Sequence, residues 1–354
     1  MQRPKVTIRD VASYAGVSHQ TVSRVINGSK SVRPATRARV EKAIAELDYR
    51  PDALAQSMAR GRSGYLACLS PNLTDYTFSS IIDAAETEAR ENGYYLMSAS
   101  APDAETFAHL IDDLAQSGRA EGIMVINPFA DDRHRYLPAG YPVVFAGARP
   151  REEAADSVAL DDVVVARQVT EHLLTLGHRL IGMVTGPEVE DCTQDRSLGF
   201  HQALHGAGLI ADEAFVLEGN WLAPSGYDAF RHFFSLSQQP TAIFAQNDQM
   251  AVGVLRAARD AGLNVPDQLS VIGVDDIPLS AYFEPPLTTV RQDFAAIGRQ
   301  AARLLVRAVK EPVAAHEHLL LPGEMIIRRS TASILSAAQR APDQMNTSET
   351  RFLS

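Results

Sequence analysis

The chain has 354 residues, 21% charged and 45% hydrophobic, the balance of an ordinary globular protein with room for more than one domain. Two cysteines, Cys68 and Cys192, without a CxxC spacing exclude a disulfide framework and fit a reduced cytoplasmic protein. The start Met-Gln-Arg-Pro-Lys-Val-Thr lacks the apolar stretch of a secretory signal, and no run approaches the roughly 20 apolar residues of a membrane span.

The net charge of −10 hides an asymmetry. Residues 1–62 carry 12 Lys and Arg against 5 Asp and Glu, a net of +7, whereas the remainder carries 21 against 38, a net of −17. A basic head on an acidic body fits a polyanion reader joined to something else. Charge alone leaves a solvated basic surface equally open.

In chain order, Ile8, Val11, Ala12 and Ala15 recur at helical spacing until Gly16 breaks the run. Ser18 is a good N-cap for a second helix with Val22, Val25 and Ile26 on one face, stopping near Asn27-Gly28. Pro34 suits the first turn of a third helix, with Val40, Ala43, Ile44 and Leu47 as its apolar stripe. This is the helix-turn-helix layout. Pro51 ends the unit. Asp52 to Arg60 is compatible with a short helix, too short to be stable alone, and 61–64 form a flexible joint.

From Tyr65 the texture becomes α/β. Strands are expected at 65–69, 94–99, 122–126, 143–146, 180–185, 242–245 and 270–274. Helices are expected at 79–92, 104–116, 164–176, 196–207, 226–234 and 250–261. Short apolar strands separated by helices imply parallel sheets covered on both faces. About 100 residues of such units precede Asp161 and about 130 follow, implying two lobes. The domain reading is therefore a DNA-binding unit over 1–50, a hinge and linker over 51–63, a two-lobed body over 64–330 and a polar, largely unstructured tail over 331–354.

No catalytic constellation stands out. His201 and His205 share a helix face at i, i+4, but the glutamate of a zinc protease is missing between them, so a solvated face is expected. His316-Glu317-His318, Asp112-Asp113 and Asp131-Asp132 read as solvated surface. Phosphate-loop, dinucleotide and GxSxG signatures are absent. The expectation is no enzyme, no metal and no cofactor. Asp275-Asp276 differs, because it closes the apolar run from Ser270 to Val274, and strand carboxyl ends face the ligand crevice in open α/β sheets.

The segment from Val6 through Ile8-Arg9-Asp10-Val11-Ala12 to Ser18, then Gln20-Thr21-Val22-Ser23-Arg24-Val25-Ile26-Asn27-Gly28, strongly resembles the DNA-binding head of the lactose/galactose repressor family. The match runs on through Ala45-Glu46-Leu47-Asp48-Tyr49-Arg50-Pro51, Leu176-Gly177-His178-Arg179, Arg196-Ser197-Leu198-Gly199-Phe200, Asn247-Asp248-Gln249-Met250-Ala251, Gly273-Val274-Asp275-Asp276 and Arg291-Gln292-Asp293-Phe294. Each motif is weak alone; their number and order over residues 5–330 carry the resemblance.

The resemblance implies a dimeric, cytoplasmic transcription repressor that binds duplex operator DNA under control of a small molecule, a sugar in preference to a purine or nucleoside. It implies a body like periplasmic sugar-binding proteins, with two lobes joined by three crossovers. His19, Gln20 and Arg24 match the base readers, and their chemistry suits base edges. Thr7, Ser18, Thr21, Ser23 and Asn27 suit phosphate contacts. Ala55 and Met58 match the hinge wedge that enters the minor groove, with Met58 where leucine is common and Asp52 where asparagine is. Asp75, Tyr76, Phe78, Arg196, Trp221, Asn247, Asp275 and Gln292 match the family's effector contacts, while Gly147 brings no side chain to a position often occupied by an acid or an aromatic. A purine co-repressor and a sugar-binding enzyme with a vestigial head remain the competing readings. A structural ion pair between Arg196 and Asp275 is the alternative to their role in binding.

Overall fold

The computed structural model describes residues 6–29, 31–49, 63–126, 129–147, 149, 155–311 and 315–334. Contacts group the chain into two compact units, the head and the body, taken in turn.

The head holds helices α1 (Ile8–Ala15), α2 (His19–Ile26) and α3 (Pro34–Glu46). Thr7 and Asp10 form a reciprocal capping box on α1, and Ser18 caps α2, so both starts satisfy backbone donors that would otherwise lack partners. Gly16, in the left-handed region at φ 61°, closes α1 with its N–H donating to the carbonyls of Ala12 and Ser13. Val11, Ala12, Ala15, Val22, Val25, Val40 and Ala43 form the core. The hinge positions Ala55 and Met58, and Asp52, lie outside the described residues.

The body contains two parallel sheets. The first has the order β11-β5-β4-β3-β1-β2, with β1 (Tyr65–Ser70), β2 (Tyr95–Ser100), β3 (Ile123–Val125), β4 (Val143–Ala146), β5 (Asp156–Leu160) and β11 (His318–Leu321). The second has the order β7-β6-β8-β9, with β6 (Ile181–Thr185), β7 (Val216–Glu218), β8 (Ala242–Ala245) and β9 (Ser270–Ile272). Two further strands, β10 (Thr289–Arg291) and β12 (Glu324–Ile326), pair antiparallel.

Helices α4 (Tyr76–Glu91) and α10 (Phe294–Lys310) cover one face of the first sheet, packing Ile81, Ala85, Ile297, Ala301 and Leu305 onto Leu66, Met124, Val144 and Val158. They approach closely at Gly298, where a Cβ would come within 2.2 Å of the Ile81 carbonyl oxygen. Helix α5 (Ala104–Ile111) buries Phe107 and Ile111. The second sheet is covered on one face by α6 (Asp162–Thr175) and α7 (Asp191–Gly206), and on the other by α8 (Ala223–Phe233) and α9 (Asp248–Asp260). Side chains alternate as the pleat requires: Ile243 of β8 joins the α8–α9 core and Phe244 the α6–α7 core.

The chain crosses between the sheets three times: after β5, between β10 and α10, and between β11 and β12. The returns give the first sheet α10 and β11 from the far end of the sequence, so the lobes do not divide the chain at a single point near Asp161. The strand and helix expectations stop at Val274 and omit β5, β7 and everything from β10 onward. Several helix starts come earlier than apolar periodicity places them, because the first turns are polar. Asp162, Asp191 and Asp248 are the first residues of α6, α7 and α9, where acids complement the N-terminal partial charge.

Residues 331–334, expected to belong to the unstructured tail, are held by hydrogen bonds. The Ala332 N–H donates to Ser270 Oγ at 3.0 Å, and the Ile334 N–H donates to the Leu176 carbonyl at 3.1 Å. Buried His178 braces this segment, its ring nitrogens 2.9 Å from Thr241 Oγ1, 3.0 Å from Ser270 Oγ and 3.1 Å from the Ala332 carbonyl. Burial holds the His178 pKa below its usual value, despite the favourable Ala332 carbonyl. The unfolded chain therefore takes the proton first, and stability is complete above about pH 6.5 and is lost as pH falls from there toward the depressed folded pKa. The expected result is that Tm against pH falls less steeply below about 6.5 for His178→Gln than for the wild type; identical slopes would remove His178 from the account.

Candidate functional site

Between the carboxyl ends of the two parallel sheets lies a cavity of about 480 Å³, within the range of roughly 300–1,000 Å³ that holds small organic ligands. Asp75, Tyr76, Phe78, Arg196, Trp221, Asn247, Asp275 and Gln292 all line it. So does Gly147, at φ 70°.

The first lobe supplies the start of α4. Asp75 caps that helix, its Oδ1 accepting from the Thr77 N–H at 2.8 Å and the Phe78 N–H at 3.4 Å. Asn72 supports the turn by accepting from the Asp75 N–H at 2.7 Å. The Tyr76 ring meets Phe294 of α10 edge-on, with centroids 6.0 Å apart, so the aromatic wall joins elements from both ends of the sequence.

The second lobe supplies the charged floor. Arg196 is buried on α7. Its Nε donates to Asp162 Oδ1 at 2.7 Å, and its Nη1 donates to the Gln246 carbonyl. The carboxylate paired with Arg196 is thus Asp162, just past the first crossover, and not Asp275. Asp275 instead accepts from Gln292 Nε2 at 2.7 Å through Oδ1. Burial raises the Asp275 pKa well above the usual carboxylate range; Arg196 opposes the rise, and Asp248 and Asp75 add to it.

The backbone presenting Asp275 is unusual. Asp275 and Asp276 take φ values of 124° and 54°, a region that costs a non-glycine residue about 1–3 kcal/mol. Neighbours hold it there. Asp276 accepts from Arg291 Nε at 2.8 Å and from Arg328 Nη2 at 2.6 Å. Buried Asp248 accepts from the Ile277 N–H and from the hydroxyls of Ser280 and Thr289. Burial pushes the Asp248 pKa up to about 6, against the pull of those donors.

Trp221 forms a fixed wall. Its Nε1 donates to Glu190 Oε2 at 2.9 Å, and its carbonyl accepts from Asn247 Nδ2 at 3.0 Å. The ring lies against Gly186, where a Cβ would fall 1.9 Å from it. Asn247 also caps α9 by accepting from the Met250 N–H at 2.8 Å. Sequence reasoning did not reach Glu190, whose pKa burial pushes up to about 7, with the Trp221 hydrogen bond and Arg196 opposing and Asp75 and Asp191 reinforcing. Also missed were Asn72, Phe129, Asp162, Cys192 and Asn220. Cys192 lies in the first turn of α7, not in a loop. The signal was available, since most of these residues closely follow the end of a strand. His201 and His205 lie on an exposed face of α7.

In the head, His19, Gln20 and Arg24 are exposed on α2, opposite buried Val22 and Val25. Thr7, Ser18, Thr21, Ser23 and Asn27 cluster around the helix ends in local bonds: Thr7 with Asp10, Ser18 with Thr21, and Asn27 with Ser23. They therefore fix the two helices as well as offering polar groups at the surface.

Comparison with known proteins matches the head and part of the body separately. The family described as "Bacterial regulatory proteins, lacI family" matches residues 7–52, and the "Periplasmic binding protein-like domain" matches residues 170–331. The HTH-type transcriptional repressor CytR of Escherichia coli (strain K12) is 33% identical over 338 residues, covering 94% of this chain and 98% of the relative. A transcriptional regulator CelR–cellobiose complex is similar at 32% identity and TM-score 0.71, and the Lac repressor dimer bound to operator and the anti-inducer ONPF at 30% identity and TM-score 0.85. Each of these matches covers 93% of this chain and 100% of the other.

The Arg196–Asp162 pair carries a stability prediction. Its members are 6% and 12% exposed, and removing one partner of a buried pair strands the other, at a cost of about 3–5 kcal/mol. Arg196→Met is expected to lower the unfolding free energy by about that amount in urea titration, and adding Asp162→Leu to recover most of it. Full stability in the single variant would show the pair to be unimportant to folding.

Proposed function

The chain belongs to the LacI family of bacterial regulatory proteins, transcriptional repressors with a DNA-binding head and an effector-binding body, and on that premise we propose that it is a cytoplasmic homodimer released from or held on its operator by a sugar. The observation that carries the choice of sugar is the polar set around Trp221. Asp275 accepts from adjacent hydroxyls. Asn247 and Gln292 each carry donor and acceptor groups, as hydroxyls do, and Arg196, with Nε and Nη1 on Asp162 and Gln246, keeps Nη2 as a donor. The Trp221 ring supplies an apolar wall suited to the C–H face of a pyranose. The similar CelR structure is a complex with cellobiose, which supports the reading. A purine wants rings on both faces; Gly147 brings none to the lining, and Tyr76 and Phe78 are the residues left to fill that role. A role as an enzyme is disfavoured because the similar proteins are transcription regulators.

In this reading His19, Gln20 and Arg24 read base edges, and Thr7, Ser18, Thr21, Ser23 and Asn27 position the head on phosphates. Ala55 and Met58 enter the minor groove, the methionine prying a base step. One head buries too little surface for tight specific binding, so two heads on a pseudo-palindrome are required; the similar Lac repressor structure is a dimer on operator. The effector acts through Asp275, since Gln292, its donor, begins the second crossover between lobes. An occupant that takes up Asp275 thereby acts on the link along which the lobes can turn.

Two expectations follow. In competition binding, Arg24→Ala costs roughly 1–3 kcal/mol at the operator and relaxes base choice at one position per half-site. Equal weakening on random DNA would make Arg24 a solvated charge. In calorimetry with a panel of mono- and disaccharides, Asp275→Asn abolishes binding of whichever sugar the wild type takes. Operator affinity stays near normal, because the base readers belong to a separate compact unit. Tight purine binding with no sugar binding would overturn the choice of ligand.

A further inference from the structure

The effector reading assigns a cavity; its charges assign a narrower class of occupant. Asp75, Asp162, Glu190 and Asp275 line it, and Arg196 is the one basic side chain among the described lining residues. That guanidinium is largely committed, with Nε on Asp162 and Nη1 on the Gln246 carbonyl. Asp75, Glu190 and Asp275 therefore face the cavity without an ion-pair partner among the described residues.

Two of these carboxyls are more than nine-tenths buried, Glu190 at 8% and Asp275 at 5% exposure. Each spends one oxygen on a protein donor: Glu190 Oε2 accepts from Trp221 Nε1 at 2.9 Å, and Asp275 Oδ1 from Gln292 Nε2 at 2.7 Å. No described protein donor reaches their other oxygens. Both residues line the cavity, so water or an occupant supplies those donors, and an occupant that displaces the water without offering donors leaves the oxygens unpaired at a cost. An anionic group in the same enclosed space would meet Asp75, Glu190 and Asp275 at low dielectric, with no uncommitted cation among the described lining residues to answer it. Burial is the main cause of the raised pKa values of Glu190 and Asp275; neighbouring carboxylates add to the rise and Arg196 opposes it.

We propose that the cavity accepts an effector that presents hydrogen-bond donors to Glu190 and Asp275 and excludes effectors bearing a phosphate or carboxylate, with Glu190 as the specificity-determining residue. This rests on the cavity being the effector site, and deepens that reading by separating free sugars from sugar phosphates and nucleosides from nucleotides. Glu190 acts twice: it holds Trp221 by one oxygen and reads the occupant with the other. Glu190→Gln preserves the acceptor for Trp221 Nε1 while removing the charge.

The test uses the full-length protein. Trp221 is the one tryptophan in the chain, so its fluorescence samples the cavity without a known ligand. Quenching by caesium, acrylamide and iodide at matched ionic strength, each normalised to N-acetyltryptophanamide, reads the sign of the local potential. Caesium is expected to outperform iodide about threefold, and Glu190→Gln to shrink that ratio by about half. Equal or better quenching by iodide in the wild type overturns the proposal. A second arm compares glucose with glucose 6-phosphate, ribose with ribose 5-phosphate, and adenosine with its 5′-monophosphate by thermal shift. The phosphorylated member of any pair that binds is expected to be weaker by about 100-fold, with the gap narrowed in Glu190→Gln. A phosphorylated compound that stabilises the protein where its neutral partner does not overturns the proposal. If adenosine alone binds, the sugar reading fails and the exclusion of anions stands, which separates the two.

Discussion

The body depends on one buried guanidinium. Arg196 reaches from α7 to Asp162 at the head of α6, to the carbonyl of Gln246 at the end of β8, and toward the Trp221 ring, 5.9 Å from its centroid. An arginine cannot shed its charge when buried, so the surroundings must supply acceptors, and those it finds belong to three separate stretches of chain. Asp162 is also the point at which the chain first leaves the first sheet for the second lobe. A charge that cannot be neutralised thus ties the first crossover to the cavity floor.

The remaining polar residues form a second tier organised around the strained turn at Asp275 and Asp276. Asp248 supports it from beneath, accepting from Ser280 and Thr289, while Arg291 and Arg328 grip Asp276 from β10 and from the segment after β12. Those segments flank the second and third crossovers. The Asp275 carboxylate that lines the cavity is therefore held by the same residues that lead the chain between lobes. On the proposed reading, binding at Asp275 would have a physical route to the relation between lobes through the crossovers themselves.

Much of this was legible in the residues. Ser18, Gly16 and Pro34 mark helix ends by local chemistry, and the head was read correctly because its three helices use local signals throughout. Asp275 was singled out because it follows an apolar strand. Applied to every strand, the same argument also finds Asn72 after β1, Asp162 after β5, Glu190 after β6, Asn220 after β7 and Asn247 after β8. Glu190 escaped because the sequence pattern places the next helix at 196–207 and leaves this stretch unassigned, and only burial beside Trp221 turns it into a cavity wall.

By itself the sequence determined the division into a basic head and an acidic α/β body, the helix boundaries set by caps and glycines, and the residue types able to read bases and bind hydroxyls. Those properties are local or compositional, and each follows from a few neighbouring residues. Only the tertiary structure decided that Arg196 pairs with Asp162 rather than Asp275, that α10 and β11 return to the first lobe, and that His178 fastens the segment at Ala332. Each joins residues from 34 to 154 positions apart or a sheet to strands far along the chain. Burial, not sequence proximity, chose the partners, because a charge or imidazole removed from water must bond with whatever the fold brings within reach.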